Sequence, residues 1–271
     1  MPNVLPEFFA APGSRLLVIA GPCVLEDRAT NERIGTTVRD ACAALGLPFV
    51  FKASFDKANR SSIKGHRGPG LERGLEELAR MRDLLGVEVT TDIHSPEQAE
   101  PAGKVVDLLQ IPAFLCRQTD LLAAAAATGR PVNVKKGQFM SPEEMRNVLT
   151  KLAEGGCTRR MLTERGTFFG YNRLVTDFIG LGDMMALGAP VCFDATHSLQ
   201  LPGGAGTATS GRPERCGMLA RAAVAAGVHA LFLECHPDPA RSQSDAGTIQ
   251  ALETVPALLA GLKAVHAAVS A

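Results

Sequence analysis

Eight short apolar runs recur along the chain, each followed by a polar cluster and then by a longer segment with apolar residues at helical spacing. The runs are LLVIAGP (16–22), FVFKASF (49–55), VEVTTDI (87–93), LLQIPAF (108–114), VNVKKG (132–137), RRMLTER (159–165), PVCFDATH (190–197) and ALFLECH (230–236). Segments such as LERGLEELARMRDLLG, SPEEMRNVLTKLAEGG and RCGMLARAAVAAGV lie between them, with glycine near the end as a helix cap. Alternating strand and helix predicts a parallel sheet, and eight repeats in 271 residues predict an α/β fold of the (β/α)8 barrel type. An open doubly wound sheet fits less well, because GPCVLED after the first strand is not a Gly-x-Gly-x-x-Gly turn. The first 15 residues read as a short N-terminal extension, and no linker divides the chain, so residues 1–271 are expected to form a single barrel domain.

Side chains alternate inward and outward along a strand, and barrel active sites form at the C-terminal strand ends. Parity groups Val50, Lys52 and Ser54 on one face, then Thr90 with Asp92, Leu108 with Gln110, Asn133 with Lys135, Thr163 with Arg165, Ala195 with His197, and Phe232 with Glu234. Seven strands thus point a polar side chain at one mouth, and the first strand runs out there at Cys23.

Composition narrows the function classes. The 28 basic and 28 acidic residues balance, so no overall field recruits nucleic acid or an anionic membrane, and any anion site must be local. Seven scattered cysteines form no Cys-x-x-Cys pair and suit a reducing compartment. The N-terminus lacks the pattern of a signal peptide and no run of about 18 apolar residues is evident, so a soluble cytoplasmic protein is expected.

Lys52, Lys57, Arg60, Lys135 and Arg165 make a local anion site for phosphate or carboxylate, and their number implies more than one anionic group. Each alone reads equally as a surface cation or half of an ion pair. Cys23, His197, Glu234 and Asp245 supply one thiolate, one imidazole and two carboxylates, the ligand types of a divalent transition metal. The alternatives are a core thiol, a satisfied or acid/base histidine, and a turn or N-cap aspartate in SQSDAGT. Cys235 should point outward, and the direction of His236 in HPDP is open.

FKASFDKANRSS, AGPC, TDIHSPEQA, QIPAFLCRQTDLL, VNVKKGQFMSP, TERGTFFGYNRLV, FDATHSLQLPGG and LECHPDP together resemble the 3-deoxy-D-manno-octulosonate 8-phosphate synthase family, from about residue 15 to 245. The resemblance implies a (β/α)8 barrel, usually a homotetramer. Such enzymes condense phosphoenolpyruvate with D-arabinose 5-phosphate and release inorganic phosphate, toward the lipopolysaccharide core. It implies that Lys52, Ser54, Lys57, Asp92, Gln110, Lys135 and Arg165 serve the substrates, chiefly phosphoenolpyruvate, and that Asn59, Arg60 and Ser61 receive the pentose phosphate. The Arg60 position is presented to a neighbouring subunit in that family. Lys135, His197 and Asp245 stand as the catalytic candidates.

Metal-independent members carry Asn where this chain has Cys23, so AGPC resembles the metal-dependent subgroup. The implied cofactor is one divalent transition metal per subunit, Fe, Mn, Zn or Co, held by Cys23, His197, Glu234 and Asp245. The implied chemistry joins C3 of phosphoenolpyruvate to the aldehyde, adds water at C2 and breaks the C–O bond to phosphate. The chain departs from the family's pattern at SGRPER (210–215) and at TIQALE after Asp245. Rival readings are the related seven-carbon synthase, which typically carries Lys-Pro-Arg-Thr-Ser in place of KANRSS, a Schiff-base aldolase using Lys135, and a non-catalytic barrel.

Overall fold

The computed structural model describes residues 4–59, 62–168, 170–204 and 210–270. Eight parallel strands form the barrel: β1 (Leu17–Gly21), β2 (Phe49–Lys52), β3 (Glu88–Asp92), β4 (Leu108–Ile111), β5 (Val132–Lys135), β6 (Arg160–Glu164), β7 (Val191–Asp194) and β8 (Ala230–His236). Each pairs with the next in sequence, and β1 pairs with β8 over Leu17–Gly21 against Ala230–Glu234, which closes the ring. All eight apolar runs became strands, most of them shorter than the run that predicted them.

Helix α1 (Val4–Ala10) precedes the barrel. The ring outside it is α2 (Arg28–Leu45), α3 (Leu71–Leu85), α4 (Ala99–Val105), α5 (Thr119–Ala127), α6 (Met145–Glu154), α7 (Phe178–Met185), α8 (Cys216–Ala225) and α9 (Val255–Val269). Two small antiparallel ribbons decorate the strand ends, Thr167–Phe168 with Leu174–Val175 and Gln200–Leu201 with Ser210–Gly211.

Side-chain parity splits the apolar core in two. Outward residues such as Val18, Phe51, Val89, Leu109, Val134, Leu162, Phe193 and Leu231 pack under the helices. Inward residues Leu17, Ile19, Val50, Leu108, Met161, Cys192, Ala230 and Phe232 fill the barrel, and Leu5 and Phe8 of α1 join them. The N-terminal extension is therefore a plug, anchored where the Leu5 backbone N–H donates to the buried Glu88 carboxylate at 2.8 Å. With that end packed by apolar side chains, the polar inward residues are left to the opposite end.

Local signals explain most helix boundaries. Asp27 caps α2 by accepting from the Thr30 N–H, and Gly46 ends it in the left-handed conformation. Gly86 ends α3 the same way, whereas after α6 and α8 the left-handed glycines are Gly156 and Gly227, beyond the capping residues Gly155 and Ala226. Ser141 and Glu144 exchange hydrogen bonds as a capping box ahead of α6, so SPEE forms the turn that starts it.

Two sequence expectations are corrected. The stretch Leu252–Val269 does meet the length and hydropathy of a membrane span, at a mean hydropathy of 1.3, but its helix α9 is the barrel's last, packed between α2 and α8 through Val255, Leu259 and Leu262. In β7 the inward residues are Cys192 and Asp194, while Ala195 lies in the outer core. The strand stops at Asp194, and His197 reaches the mouth through a 3-10 turn at His197–Leu199, not through strand alternation.

Candidate active site

The C-terminal mouth holds a cavity of about 830 Å³, within the range of ligand pockets. Lys52, Lys57, Asn59, Asp92, Gln110, Lys135, Arg165, His197, Glu234 and Asp245 line it, while Ser54 and Cys23 are fully buried at its base. Arg60 and Ser61 lie outside the described residues.

One wall is a chain of hydrogen bonds crossing five strand ends. Lys57 donates to Ser54 at 3.0 Å, and Ser54 donates to Asp92 at 2.7 Å. Gln110 donates to the other Asp92 oxygen, Asn133 to the Gln110 carbonyl at 3.2 Å, and Thr163 to Asn133 at 2.7 Å. Burial would raise the Asp92 carboxyl, but Lys52, Lys57 and Lys135 outweigh it and hold Asp92 well below the usual carboxylate range. Asp92, Ser54 and Gln110 thus already serve one another, which orders the cavity wall before any ligand arrives.

The lysines carry partners too. The Lys52 ammonium bridges Glu234 Oε1 at 2.6 Å and the Cys23 carbonyl at 2.8 Å, so a residue expected at the anion site braces two of the expected metal ligands. Gly21 lets the backbone at the ends of β1 and β2 lie this close, since a Cβ there would sit 2.0 Å from the Lys52 backbone carbonyl oxygen. Lys135 donates to Asp194 at 2.7 Å and stands 3.6 Å from the centre of the Phe232 ring, a cation–π contact.

Three of the four expected donors converge, and the fourth, His197, stands beside two of them. One ligand atom each from Cys23, Glu234 and Asp245 lies within 4.8 Å of the others, and the Cys23 thiol donates to Asp245 at 2.9 Å. His197 Nε2 lies 3.7 Å from Glu234 Oε2 and 3.9 Å from Asp245 Oδ2. Its Nδ1 is held by Asp194 at 2.7 Å, the carboxylate–histidine arrangement that aims an imidazole at a metal. Asp245 sits at φ 52, a left-handed backbone uncommon outside glycine, at the point where its side chain enters the cluster. Burial and the carboxylates of Asp245 and Glu234 push the Cys23 thiol well above its ordinary value, a penalty that a bound cation reverses.

Of five buried side-chain atoms without hydrogen-bond partners among the described residues, two belong to the expected site residues: Glu234 Oε2, an acceptor facing His197, and Arg165 Nε, a donor. The acceptor fits a cation and the donor fits an anion. Thiolate, imidazole and two carboxylates suit a divalent transition ion, so the residues fit a metal centre.

Several contributors were not singled out in the sequence. Asp194, fully buried, accepts from Lys135, from His197 Nδ1 and from the backbone N–H groups of Thr196 and His197. Gln200 joins Arg165 to Asp245, and a buried Lys136–Glu164 pair at 3.5 Å lies behind Lys135 and Arg165. The doublets KK and ER signalled the last pair, because neighbours of inward residues point outward. His236 is directed at Glu26, 3.3 Å away, and Cys235 packs in the outer core as expected.

The family model described as the DAHP synthetase I family matches residues 7–269. The chain belongs to this family. Among curated members, it is 56% identical over 252 residues to the 2-dehydro-3-deoxyphosphooctonate aldolase of Nitratidesulfovibrio vulgaris (strain DP4), covering 93% of this chain and 92% of the relative. The proteins of that name from Desulfotalea psychrophila and from Cyanothece sp. (strain PCC 7425) are 52% identical over 263 residues and 50% over 268. These alignments cover 97% and 99% of this chain, and 94% and 98% of the relatives. Membership in the DAHP synthetase I family thus extends beyond the motif-bearing stretch into α1 and α9.

Proposed function

We propose that the chain is a 3-deoxy-D-manno-octulosonate 8-phosphate synthase, the activity named for its relatives, condensing phosphoenolpyruvate with D-arabinose 5-phosphate and water to release inorganic phosphate for lipopolysaccharide biosynthesis. The observation that carries this reading is one cavity with cations on one side and, on the other, the three-donor group of Cys23, Glu234 and Asp245 with His197 beside it, joined through Lys52. Arg165, with its unpartnered Nε, and Lys135 receive the phosphate of phosphoenolpyruvate, while Lys57 and Gln110 steady its carboxylate. Asn59 lines the outer cavity and takes the pentose phosphate together with Arg60 and Ser61.

The barrel mouth holds both substrates in line, so that C3 of the enol meets the aldehyde carbon, and fixed cations balance charge as the new C–C bond forms. A divalent ion on Cys23, His197, Glu234 and Asp245 supplies Lewis acidity for the aldehyde or the attacking water. Asp194 keeps His197 Nε2 turned toward that position and Lys135 turned into the cavity. The thiolate favours Fe, Mn, Zn or Co over Mg.

Phosphoenolpyruvate carrying ¹⁸O in the bridging C–O position tests the chemistry. Label recovered in inorganic phosphate supports C–O cleavage, and unlabelled phosphate contradicts it. The Schiff-base alternative would require Lys135 to leave its buried ion pair with Asp194, and borohydride trapping should yield no adduct.

We further propose that the chain works as one (β/α)8 domain in a cytoplasmic homotetramer. Phe114, Phe139, Phe168, Tyr171 and Ile179 stand exposed on the β4, β5 and β6 loops and on α7, an apolar surface suited to contact between subunits. All seven cysteines are buried and unpaired, in keeping with a reducing compartment.

A further inference from the structure

Gln200 stands between the two halves of the cavity. Its carbonyl Oε1 accepts from Arg165 Nη2 at 2.6 Å, and its Nε2 donates to Asp245 Oδ1 at 2.8 Å. Guanidinium can only donate and carboxylate can only accept, so the two neighbours fix the amide in one orientation. Anion arm, amide and cluster carboxylate are joined by direct hydrogen bonds.

The backbone reinforces this link. Gln200 pairs with Gly211 across a short ribbon, and a Cβ on Gly211 would lie 2.1 Å from Thr248 Cγ2 and 2.8 Å from the Gly247 carbonyl oxygen. The ribbon that carries Gln200 is therefore packed against the loop that carries Asp245. Gly211 belongs to SGRPER, the segment that departs from the family's pattern, and this close approach needs a residue without a side chain. Asp245, held at φ 52, has few ways to shift unless Gln200 and this loop shift with it.

We propose that Gln200 is a positioning residue that couples occupancy of the anion site to affinity for a divalent cation. A phosphate drawn onto Arg165 fixes the guanidinium, which fixes the Gln200 amide, which holds Asp245 in the position for ligation. Cation binding in turn orders Arg165 for the anion. The coupling must be reciprocal, each ligand tightening the other by the same factor, with such factors typically roughly 5- to 150-fold. This inference rests on the reading above, in which Arg165 takes a phosphoenolpyruvate oxyanion and the four-donor cluster takes a metal.

The test is cobalt(II) titration of metal-free full-length protein, followed through thiolate-to-cobalt absorption, with and without saturating phosphoenolpyruvate. No aldose phosphate is added, so nothing turns over. The unmodified protein is expected to bind cobalt at least about 5-fold more tightly with phosphoenolpyruvate present. Gln200→Met, similar in length but unable to bridge, is expected to reduce that enhancement to less than about 2-fold while cobalt affinity alone changes by less than about 3-fold. Gln200→Glu keeps the acceptor toward Arg165 but faces Asp245 with an acceptor in place of a donor, and should uncouple the sites equally. Coupling retained in either variant, or absent from the unmodified protein, overturns the inference. Failure of the unmodified protein to bind cobalt or phosphoenolpyruvate overturns the metal or anion reading beneath it as well.

Discussion

Asp194 meets both Lys135 and His197 through Oδ2, while its Oδ1 accepts two backbone N–H groups from the turn that follows β7. Burial would raise its carboxyl, but His197 and Lys135 dominate and hold it well below the ordinary range. Asp194→Asn preserves shape while removing the charge that orients both partners. Metal affinity or kcat should fall about 10- to 100-fold, and cobalt titration beside steady-state assays checks this. Unchanged values would reduce Asp194 to a turn residue. At Cys23, Cys23→Ala should remove the thiolate absorption band of the cobalt form and most activity, with the thermal transition kept, since the side chain is small. Cys23, Lys52, Lys135, Arg165 and Glu234 were legible because strand parity alone aims them at the mouth or places them at a strand end. Asp194 and Gln200 were not, because the strand ends at Asp194, three residues before the end of its apolar run. Where a strand ends depends on its pairing partners, Leu162–Glu164 of β6 and Ala230–Phe232 of β8, which are distant in sequence.

The N-terminal plug illustrates the element scale. Sequence gave no role to the first residues beyond an extension, since seven helical residues carry too little pattern to reveal a docking face. In the fold α1 seats Leu5 and Phe8 in the barrel floor and directs its first N–H groups toward Glu88. Burial, opposed in part by the Leu5 N–H, pushes the Glu88 carboxyl from its usual 4.5 up to about 7. Because the folded value is raised, the stability that protonated Glu88 contributes is complete below 4.5 and is lost as pH rises through about 7. Glu88→Gln does not titrate, so its melting temperature relative to the parent should climb between about pH 5 and about pH 8. A difference that is flat with pH would show that Glu88 ionises normally. The capping box ahead of α6 makes a second prediction at this scale: Ser141→Ala should cost about 1 kcal/mol in chemical denaturation, with little effect on KM.

The barrel was the most legible feature of the whole molecule, because eight repeats of the same alternation repeat the same instruction. The set of exposed apolar residues on the β4, β5 and β6 loops was not, since its members are scattered in sequence and their exposure depends on how the barrel packs. If it joins subunits, Ile179→Glu with Val175→Glu should convert a species of four chains into smaller ones in light scattering. An unchanged mass would place the subunit contact elsewhere. α9 carries the converse lesson: hydropathy alone admits a membrane span, and only packing against α2 and α8 identifies it as the last helix of the ring. Family membership at this scale leaves the aldose phosphate to be read from the KANRSS segment and from the relatives' names. The most direct measurement is therefore phosphate release from phosphoenolpyruvate by metal-replete protein, with D-arabinose 5-phosphate and erythrose 4-phosphate compared side by side. A kcat/KM at least about 100-fold higher for the pentose phosphate, an advantage of about 2.7 kcal/mol, is the predicted result. Preference for the tetrose phosphate, or no phosphate release with either, would contradict the account.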